Sequence, residues 1–204
     1  MKIGPKYKIA RRLGAEVFEK TQTQKFALKM QNKNKGSNSR RPRSRSNYGI
    51  QLLEKQKVRF TYALSEKQFS KYIKKVIDKN PSNPSSMLFR LLEDRLDNII
   101  LRAGFATTRL AARQLVSHGH INVNGVRVTI PSYAIKDTDL ISIRERSQNK
   151  TVFADLDERL KEYTAPTWVQ VDRAKKEVKV KGGATYTPTQ SHFDLMAVLQ
   201  FYKR

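Results

Sequence analysis

The stretch from Glu93 to Gly125 reads EDRLDNIILRAGFATTRLAARQLVSHGHINVNG. Before Gly104, leucine and isoleucine recur at steps of three and four residues, which predicts a helix with one apolar stripe and a left-handed stop. The residues of this stripe are Leu88, Leu91, Leu92, Leu96, Ile99 and Ile100. Thr107 or Thr108 is a suitable cap for a second helix, which Gly119 ends. Two short consecutive helices are therefore expected.

The second helix carries two arginines on one side. Ala111 and Leu115 form its apolar inner side, while Arg109 and Arg113 lie one turn apart and share a face. Guanidinium groups match phosphate oxygens better than the point charge of lysine does, so this face is a candidate for contact with a phosphate backbone. The alternative is a solvated helix face without a ligand.

A hairpin and a third strand follow the helices. Ile121 and Val123 alternate with asparagines, and the Asn124-Gly125 pair supplies the two positive-φ residues of a type I′ turn. The alternation resumes after the turn, and Leu140–Ile143 predicts another strand. The region is thus expected to be a compact α+β module in which two helices pack on a small antiparallel sheet.

The whole chain is strongly basic. Its 204 residues include 41 lysines and arginines against 18 acidic residues, a formal net charge of +23. Such a field favours a polyanionic partner, which points to nucleic acid. The chain has no cysteine, which excludes disulfides and thiolate-held zinc. It has no apolar run typical of a signal peptide or a membrane span, so we expect a cytoplasmic protein.

The basic residues are concentrated near the N-terminus, where residues 1–50 hold 14 basic and 2 acidic side chains. Gln31–Asn47, which reads QNKNKGSNSRRPRSRSN, has too few apolar residues to fold alone. We expect residues 1–47 to form an extended basic arm that a nucleic-acid ligand orders, with a solvated linker as the alternative. The expected phosphate contacts in this arm are Arg40, Arg41, Arg43 and Arg45.

Two further helices are expected after this arm. The Ser46-Asn47 pair is placed to start a helix over Tyr48–Arg59, and Ser65 with Gln68 forms a capping box for the next one. The latter has one apolar face and a lysine-rich opposite side. The prolines of Asn80–Pro84 then end a small helical domain, which we place at residues 48–85.

The C-terminal segment mixes short elements. Asp155–Tyr163 predicts a short helix, and alternation in Trp168–Val171 and Val178–Lys181 predicts two strands. Ser191 with Asp194 is placed to cap a terminal helix, which we expect to pack on the N-terminal helices. The apolar residues of this helix are Phe193, Met196, Ala197 and Phe201. The central module is accordingly assigned to residues 86–150 and the C-terminal segment to residues 151–204.

The central module resembles a known RNA-binding domain. RLDNIILRAGF, the TR…AR…LVSHGHI run and the VNG turn occur in order between Glu93 and Gln148, as in the domain named after ribosomal protein S four, also called the alpha-L motif. The resemblance implies an RNA-binding surface. The same domain occurs in pseudouridine synthases, some aminoacyl-tRNA synthetases and heat-shock RNA-binding proteins, so the flanking sequence has to separate these classes.

The flanks resemble the bacterial-type ribosomal protein S four family. The matching segments are Ile3-Gly4-Pro5-Lys6, Ala10-Arg11-Arg12, Arg41-Pro42-Arg43, Pro166-Thr167-Trp168 and YGIQLLEKQKVRFTYALSEKQFSKYIKK from Tyr48 to Lys75. Some members of that family hold zinc through cysteines in the region of residues 10–40. This chain has no cysteine there, so we expect neither zinc nor another cofactor. The stretch from Arg173 to Gln190 follows the family only loosely.

The resemblance implies a structural constituent of the small ribosomal subunit and not an enzyme. It implies a primary binder of small-subunit ribosomal RNA that recognises a multi-helix junction in the 5′ domain, nucleates subunit assembly and contributes to translational accuracy. The implied neighbours are ribosomal proteins S five and S three, with S twelve as a functional partner, in a bacterial or organellar ribosome. The expected RNA-binding residues are Lys6, Arg11, Arg12, Arg40, Arg41, Arg43, Arg45, Tyr48, Lys55, Lys57, Arg59, Arg109, Arg113 and His118.

Several of these residue types have a second interpretation. Arg95 and Arg102 are as compatible with local ion pairs as with RNA contact, because acidic residues lie beside them. Tyr48 suits a core as well as it suits stacking on an unpaired base. His118 and His120 have no third ligand nearby in sequence, so a metal site is the weaker interpretation.

Two other classes of protein remain as alternatives. An RNA-modifying enzyme would need a catalytic domain, but the sequence contains no Gly-rich phosphate loop, nucleophile elbow or metal cluster. A stand-alone RNA-binding chaperone that acts on stalled ribosomes would explain the central module but not the N-terminal match.

Overall fold

The computed structural model describes residues 3–35, 46–188 and 191–203, which fall into two compact units. The first unit comprises residues 1–88 and 186–204, and the second comprises residues 89–185. Helices and an antiparallel sheet are both present, which confirms the predicted α+β class.

In chain order the helices are α1 (Lys6–Leu13), α2 (Gln24–Lys35), α3 (Asn47–Thr61), α4 (Glu66–Lys79), α5 (Pro84–Glu93), α6 (Leu96–Arg102), α7 (Arg109–Ser117), α8 (Glu145–Gln148), α9 (Leu156–Glu162) and α10 (Leu195–Tyr202). Single turns of 3₁₀ helix lie at Glu19–Thr21 and Thr151–Phe153. The strands are β1 (Ile121–Val123), β2 (Val126–Arg127), β3 (Leu140–Ile143), β4 (Val169–Asp172) and β5 (Glu177–Val180).

The N-terminal arm is helical over much of its described length, so the prediction of an extended segment was wrong for α1 and α2. The physical reason is a small buried core contributed by the residues around these helices. Its members are Ala10, Leu13, Val17, Phe18 and Phe26, with Leu53 and Phe60 of α3 packed against it. These apolar residues precede the polar stretch on which the prediction was based. Residues 36–45 lie outside the described part of the chain.

Local capping signals position the remaining helices of the first unit. The Ser46 hydroxyl accepts a hydrogen bond from the Gly49 N–H at the start of α3, and Ser65 forms the predicted capping box with Gln68 at the start of α4. In contrast, the N-cap of α10 is Asp194, whose carboxylate accepts from the amides of Met196 and Ala197. Of the two residues predicted to cap this helix, Asp194 is the N-cap, whereas Ser191 lies about one turn before it.

The terminal helix α10 packs along α3. The rings of Tyr48 and Phe201 lie 5.5 Å apart between centroids, and those of Tyr62 and Phe193 lie 6.3 Å apart. Aromatic pairs at these separations stabilise a contact by about 0.5–1.5 kcal/mol beyond the area that they bury. The two ends of the described chain thus form one helical unit.

The second unit, all of which the structure describes, contains one antiparallel sheet with the strand order β2-β1-β3-β5-β4. The predicted turn between β1 and β2 is present, because Asn124 and Gly125 have φ angles of 51° and 78°. β3 pairs with β1 on one side and with β5 on the other. The two predicted C-terminal strands therefore complete the sheet of the central module, which continues to residue 185 instead of ending at residue 150.

The apolar stripe before Gly104 belongs to two helices instead of one. α5 ends at Glu93 and α6 begins at Leu96, because the backbone of Arg95 is extended with a ψ of 137°. The amides of Leu96 and Asp97 donate to the carbonyls of Tyr133 at 2.9 Å and Pro131 at 3.1 Å. In a continuous helix these two amides would bond to carbonyls of the preceding turn, but here the segment after β2 supplies the carbonyls. The periodicity of the sequence gives no sign of this change of partner.

α6 packs against α7, and both helices contribute to the core of the second unit. Fully buried members of this core include Ile99, Ile100, Val116, Ile121, Ile141, Leu156 and Val178. Each such side chain contributes about 1.5–3 kcal/mol when it leaves water. This core positions the polar side chains of α6 and α7 that are described next.

Candidate nucleic-acid interface

The carboxylate of Asp97 joins two arginines inside the second unit. Arg95 donates to its two oxygens at 3.0 and 2.7 Å, and Arg113 donates to Oδ2 from Nε at 2.9 Å and from Nη2 at 2.8 Å. Asp97 and Arg95 are each only 4% exposed at the side chain, and Arg113 is 23% exposed. This guanidinium is therefore held by a buried carboxylate of its own chain, and the predicted contact of Arg113 with phosphate stays a prediction.

A second buried carboxylate organises the neighbouring helices. Glu93 is fully buried and accepts from Arg102 at 2.9 and 3.0 Å, and the Asn98 amide also donates to it. The side-chain oxygen Oδ1 of Asn98 in turn accepts from Nε of Arg109 at 3.0 Å. Arg102 thus forms a local ion pair with Glu93, and Arg109 takes part in the same chain of hydrogen bonds. The face that the sequence predicts for RNA is largely engaged in holding α6 to α7.

Glu66 plays a similar role in the first unit. It accepts from Lys55 at 3.0 Å, from Arg59 at 3.2 Å and from the Tyr202 hydroxyl at 2.6 Å. The Lys55 ammonium also lies 4.5 Å from the centroid of the Phe201 ring. Burial acts to raise the pKa of Glu66, but these partners outweigh it and hold that pKa below its ordinary value. Lys55 is buried, so little of it is available to RNA, and its predicted contact stays a prediction.

The other predicted residues of α3 are only partly available. Lys57 pairs with Glu54 at 2.6 Å and its side chain is 19% exposed. Arg59 is 21% exposed and is paired with Glu66. Tyr48 is 51% exposed although its ring contacts Phe201. One face of Tyr48 therefore stays open to solvent, and this residue remains a candidate for stacking on a base.

The three predicted residues on α1 differ in how far they are exposed to solvent. Arg11 and Arg12 are exposed in the last turn of the helix, where their charges also complement the helix dipole. Lys6 is partly buried, with its ammonium 6.0 Å from the centroid of the Phe18 ring. Arg40, Arg41, Arg43 and Arg45 lie outside the described residues, so their role stays a prediction.

α4 presents a basic face that the list of expected contacts omitted. Its apolar side packs inward through Phe69, Ile73 and Val76. Five exposed lysines lie elsewhere on the helix, and none of them has an ion-pair partner among the residues that the structure describes: Lys67, Lys71, Lys74, Lys75 and Lys79. The sequence shows this lysine-rich side, but only the burial of the apolar side establishes that it faces solvent.

His118 is exposed at the end of α7, beside the buried His120. The ring centroids of the two histidines are 6.0 Å apart. His120 Nδ1 lies 3.0 Å from the Ser147 hydroxyl, and burial lowers the pKa of His120, as do the cations around it. His118 thus remains a candidate RNA contact, whereas His120 is a structural residue.

Two general features of the described residues bear on the class of partner. Within residues 3–35, 46–188 and 191–203, no group of three or more histidine and carboxylate side chains is arranged to hold a metal ion. In the same ranges, none of the helices has the length and apolar character needed to cross a membrane. The unpaired surface charge of these residues is instead cationic on α1 and α4.

Comparison with known families matches residues 1–93 to the ribosomal protein S4/S9 N-terminal domain and residues 94–141 to the S4 domain. The small ribosomal subunit protein uS4A of Alkaliphilus metalliredigens is 41% identical over 191 residues, which cover 92% of this chain and 89% of that protein. The uS4 protein of Roseiflexus sp. is 38% identical over 203 residues, or 98% of both chains. The uS4 protein of Polaromonas naphthalenivorans is 42% identical over 177 residues, which cover 86% of this chain and 85% of that protein.

These matches confirm the resemblance seen in the motifs, and they extend over both structural units. Identity near 40% along almost the whole length shows that the chain belongs to the uS4 family of ribosomal proteins.

Proposed function

We propose that this chain is a structural component of the small ribosomal subunit that binds its ribosomal RNA at a multi-helix junction of the 5′ domain. The relatives that it matches over 89% and 98% of their length are named as small-subunit proteins. The observation that carries the proposal is the surplus of surface cations. Buried carboxylates such as Asp97 and Glu93 neutralise internal arginines, while the basic side chains of α1 and α4 remain exposed.

The mechanism follows from the shape of folded RNA. The major groove of an RNA helix is too deep and narrow for side chains, so lysines and arginines on two separate units would contact backbone phosphates instead of base edges. A set of fixed cations stabilises the junction geometry that brings phosphates to all of them at once. The protein would thereby select one RNA conformation early in assembly and favour the binding of later proteins. No covalent bond changes in this function.

Neighbouring proteins are part of the same proposal. A subunit protein at this junction would adjoin ribosomal proteins S five and S three, and would influence translational accuracy together with S five and S twelve. The ribosome would then be its site of action in the cell. A structural role requires one copy in each subunit, whereas an RNA-modifying enzyme or a rescue factor acts at substoichiometric levels.

The direct test is filter binding of the purified chain to a transcript of the small-subunit 5′ domain over a range of salt concentrations. If about six to ten phosphates are neutralised, the affinity should fall by roughly three to five decades between about 50 and 200 mM salt. Sedimentation of ribosomes should leave the chain with small subunits after a moderate salt wash. An affinity that does not change with salt concentration would count against the proposal. So would a chain that the moderate salt wash removes, or one present at far less than one copy in each small subunit.

A further inference from the structure

A cleft of about 210 Å³ opens on the second unit beside the C-terminal end of α7. Its lining includes Gln114 and His118 of α7, Phe105 and Thr107 from the preceding loop, and Arg159 of α9. Sites for drug-sized ligands usually enclose roughly 300–1,000 Å³. This cleft is therefore suited to a smaller group, such as one base with its phosphate.

One side of the cleft is basic. The buried His120 has its pKa lowered first by burial and then by the charges of Lys150, His118, Arg127 and Arg144. Three cations, Lys150, Arg127 and Arg144, thus lie close enough to His120 to act on it. An anionic group at this end of the cleft would meet several positive charges together.

Arg127 is held in this group by the backbone beside it. Its Nη2 lies 3.4 Å from the carbonyl oxygen of His118, to which it donates. A Cβ atom at Gly119 would lie 2.1 Å from Nε of Arg127. The guanidinium therefore lies over a position where only glycine leaves space, and this places its charge next to His118.

Part of the lining is apolar, and one of its polar groups has no partner in the described part of the chain. Leu115 and Val152 contribute aliphatic surface, and Val152 is 56% exposed. Nε of Arg159 is buried and has no hydrogen-bond partner among the residues that the structure describes. A buried donor without a partner costs about 1–3 kcal/mol. A ligand with an acceptor atom near Arg159 would remove that cost.

We propose that the cleft binds a single unstacked nucleotide of the RNA, with its base against the apolar lining and Arg159 and its phosphate toward His118 and Arg127. This inference rests on the proposed function, since the RNA strand supplies the nucleotide. A base that remains stacked in a helix does not fit a closed cleft, whereas unpaired bases in loops and junctions enter such pockets readily. The cleft would thus hold a nucleotide that is flipped out of its helix at the junction.

The test uses the full chain and a transcript of the small-subunit 5′ domain in which uridine is partly replaced by 4-thiouridine, with a 6-thioguanosine transcript in parallel. After irradiation, the cross-linked peptides are identified by mass spectrometry. We expect cross-links within the segments that contain Phe105, His118 or Val152. Arg159→Gln should abolish them and lower the affinity for the transcript about ten-fold.

Two further variants separate binding from folding. Lys161→Gln lies two positions from Arg159 on α9, so its side chain points to another side of the helix, and it should change the affinity less than two-fold. His118→Ala removes an exposed side chain without disturbing the core and should also weaken binding. Unfolding by urea is measured for each variant, so that a binding defect is attributed only to folded protein.

The outcomes distinguish the two proposals. If the wild-type chain binds the transcript, but Arg159→Gln and His118→Ala bind equally well and no cleft peptide is cross-linked, the nucleotide site is overturned and the proposed function stands. If the wild-type chain does not bind the transcript at all, both proposals fall. Nucleoside 5′-monophosphates added as competitors should not displace the cross-link. Displacement would show that the cleft takes a free nucleotide and would overturn the assignment to the RNA strand.

Discussion

Arg113 of α7 and Asp97 of α6 form a two-donor ion pair, with Nε and Nη2 of the arginine 2.9 and 2.8 Å from the same carboxylate oxygen. The aspartate simultaneously accepts from Arg95, which is almost completely buried. One carboxylate therefore links the N-terminal turns of α6 to the middle of α7. An arginine spacing that is typical of an RNA-binding helix face is here used to hold two helices together.

Replacement of this carboxylate should severely destabilise the protein. Asp97→Asn leaves the buried guanidinium of Arg95 without its counter-charge, and we expect the free energy of unfolding to fall by about 3–5 kcal/mol. Urea denaturation measures this change. Asp157→Asn is the matched control, because Asp157 pairs with Lys176 at the surface with 62% of its side chain exposed, and it should cost less than about 1 kcal/mol. Equal losses in the two variants would refute the central role of Asp97.

The same geometry changes what is expected of the arginines themselves. The sequence predicts that changing Arg109 and Arg113 together to glutamate weakens RNA binding while the protein stays folded. The structure leads us to expect a loss of stability as well, because a glutamate at position 113 would face the carboxylate of Asp97. We expect this double variant to unfold at lower urea concentration than the wild type, so its RNA affinity should be interpreted only alongside that measurement.

Asp94 should make the second unit less stable as the pH rises. Burial raises the pKa of Asp94 from 3.8 to about 6, although the nearby Arg90 acts to lower it, and the charges of Asp137 and Glu93 add to the rise. The folded state thus holds the proton more tightly than the unfolded state. The resulting stabilisation is complete below the unfolded pKa of 3.8 and is lost as the pH rises through about 6.

Asp94→Asn tests this dependence. The variant should be more stable than the wild type at neutral pH, and its advantage should shrink as the pH falls from about 7 toward about 4. Thermal unfolding of both proteins over this range measures the difference, with the exposed Asp78→Asn as a control for removing one carboxylate. An advantage that grows toward low pH would have the wrong sign and would exclude Asp94 as its source.

Glu66 should show the opposite pH dependence in the first unit. Its pKa is held below the ordinary 4.5 because hydrogen bonds and charges from Tyr202, Lys55 and Arg59 outweigh the effect of burial. Its contribution to stability is therefore present above about 4.5 and is lost as the pH falls through the lower, folded-state pKa. At neutral pH, Glu66→Gln should reduce the free energy of unfolding by no more than about 1 kcal/mol, because the Glu66 side chain is 45% exposed and solvent screens its pairs with Lys55 and Arg59.

The difference between wild type and Glu66→Gln should diminish in acid. Glu158→Gln, at an exposed position of α9, provides a control in the other unit and should have little effect at any pH. RNA affinity at neutral pH should be nearly unchanged in folded Glu66→Gln, because the lysine that it releases points inward. A large gain or loss of affinity would instead support the predicted contact of Lys55 with RNA.

Alanine variants at two glycines should distinguish an effect on stability from an effect on RNA binding at the proposed nucleotide cleft. Gly119 and Gly125 have φ angles of 71° and 78°, so alanine at either position should cost about 1–2 kcal/mol. A Cβ at Gly125 meets nothing within 4 Å, whereas a Cβ at Gly119 displaces the flexible end of Arg127. We expect similar Tm values for the two alanine variants but a severalfold weaker affinity for RNA only in Gly119→Ala. Equal affinities would remove Arg127 from the binding site.

Features that depend on neighbours in the chain are predictable from sequence. The Thr108 cap of α7, the Ser65-Gln68 capping box and the Asn124-Gly125 turn each use partners within three residues. Most of the other helices and strands follow from the same short-range patterns, but α1 and α2 were expected to be extended and α5 and α6 were expected to be one helix. The excess of cations, and with it the expectation of a polyanionic partner, requires only the composition. The family resemblance likewise comes from motifs that are contiguous in the chain.

Features that depend on distant residues required the folded structure. The break at Arg95 exists because amides of α6 bond to carbonyls some 35 residues later, at Pro131 and Tyr133. Arg113 and Lys55 read as candidate phosphate contacts in the sequence, but the carboxylates of Asp97 and Glu66 reach them only after folding. A charge in the sequence has no assigned partner until tertiary packing brings a counter-charge within hydrogen-bonding distance. Total charge is thus a property of the chain, whereas the choice of cations left for RNA is made by the packing of its helices.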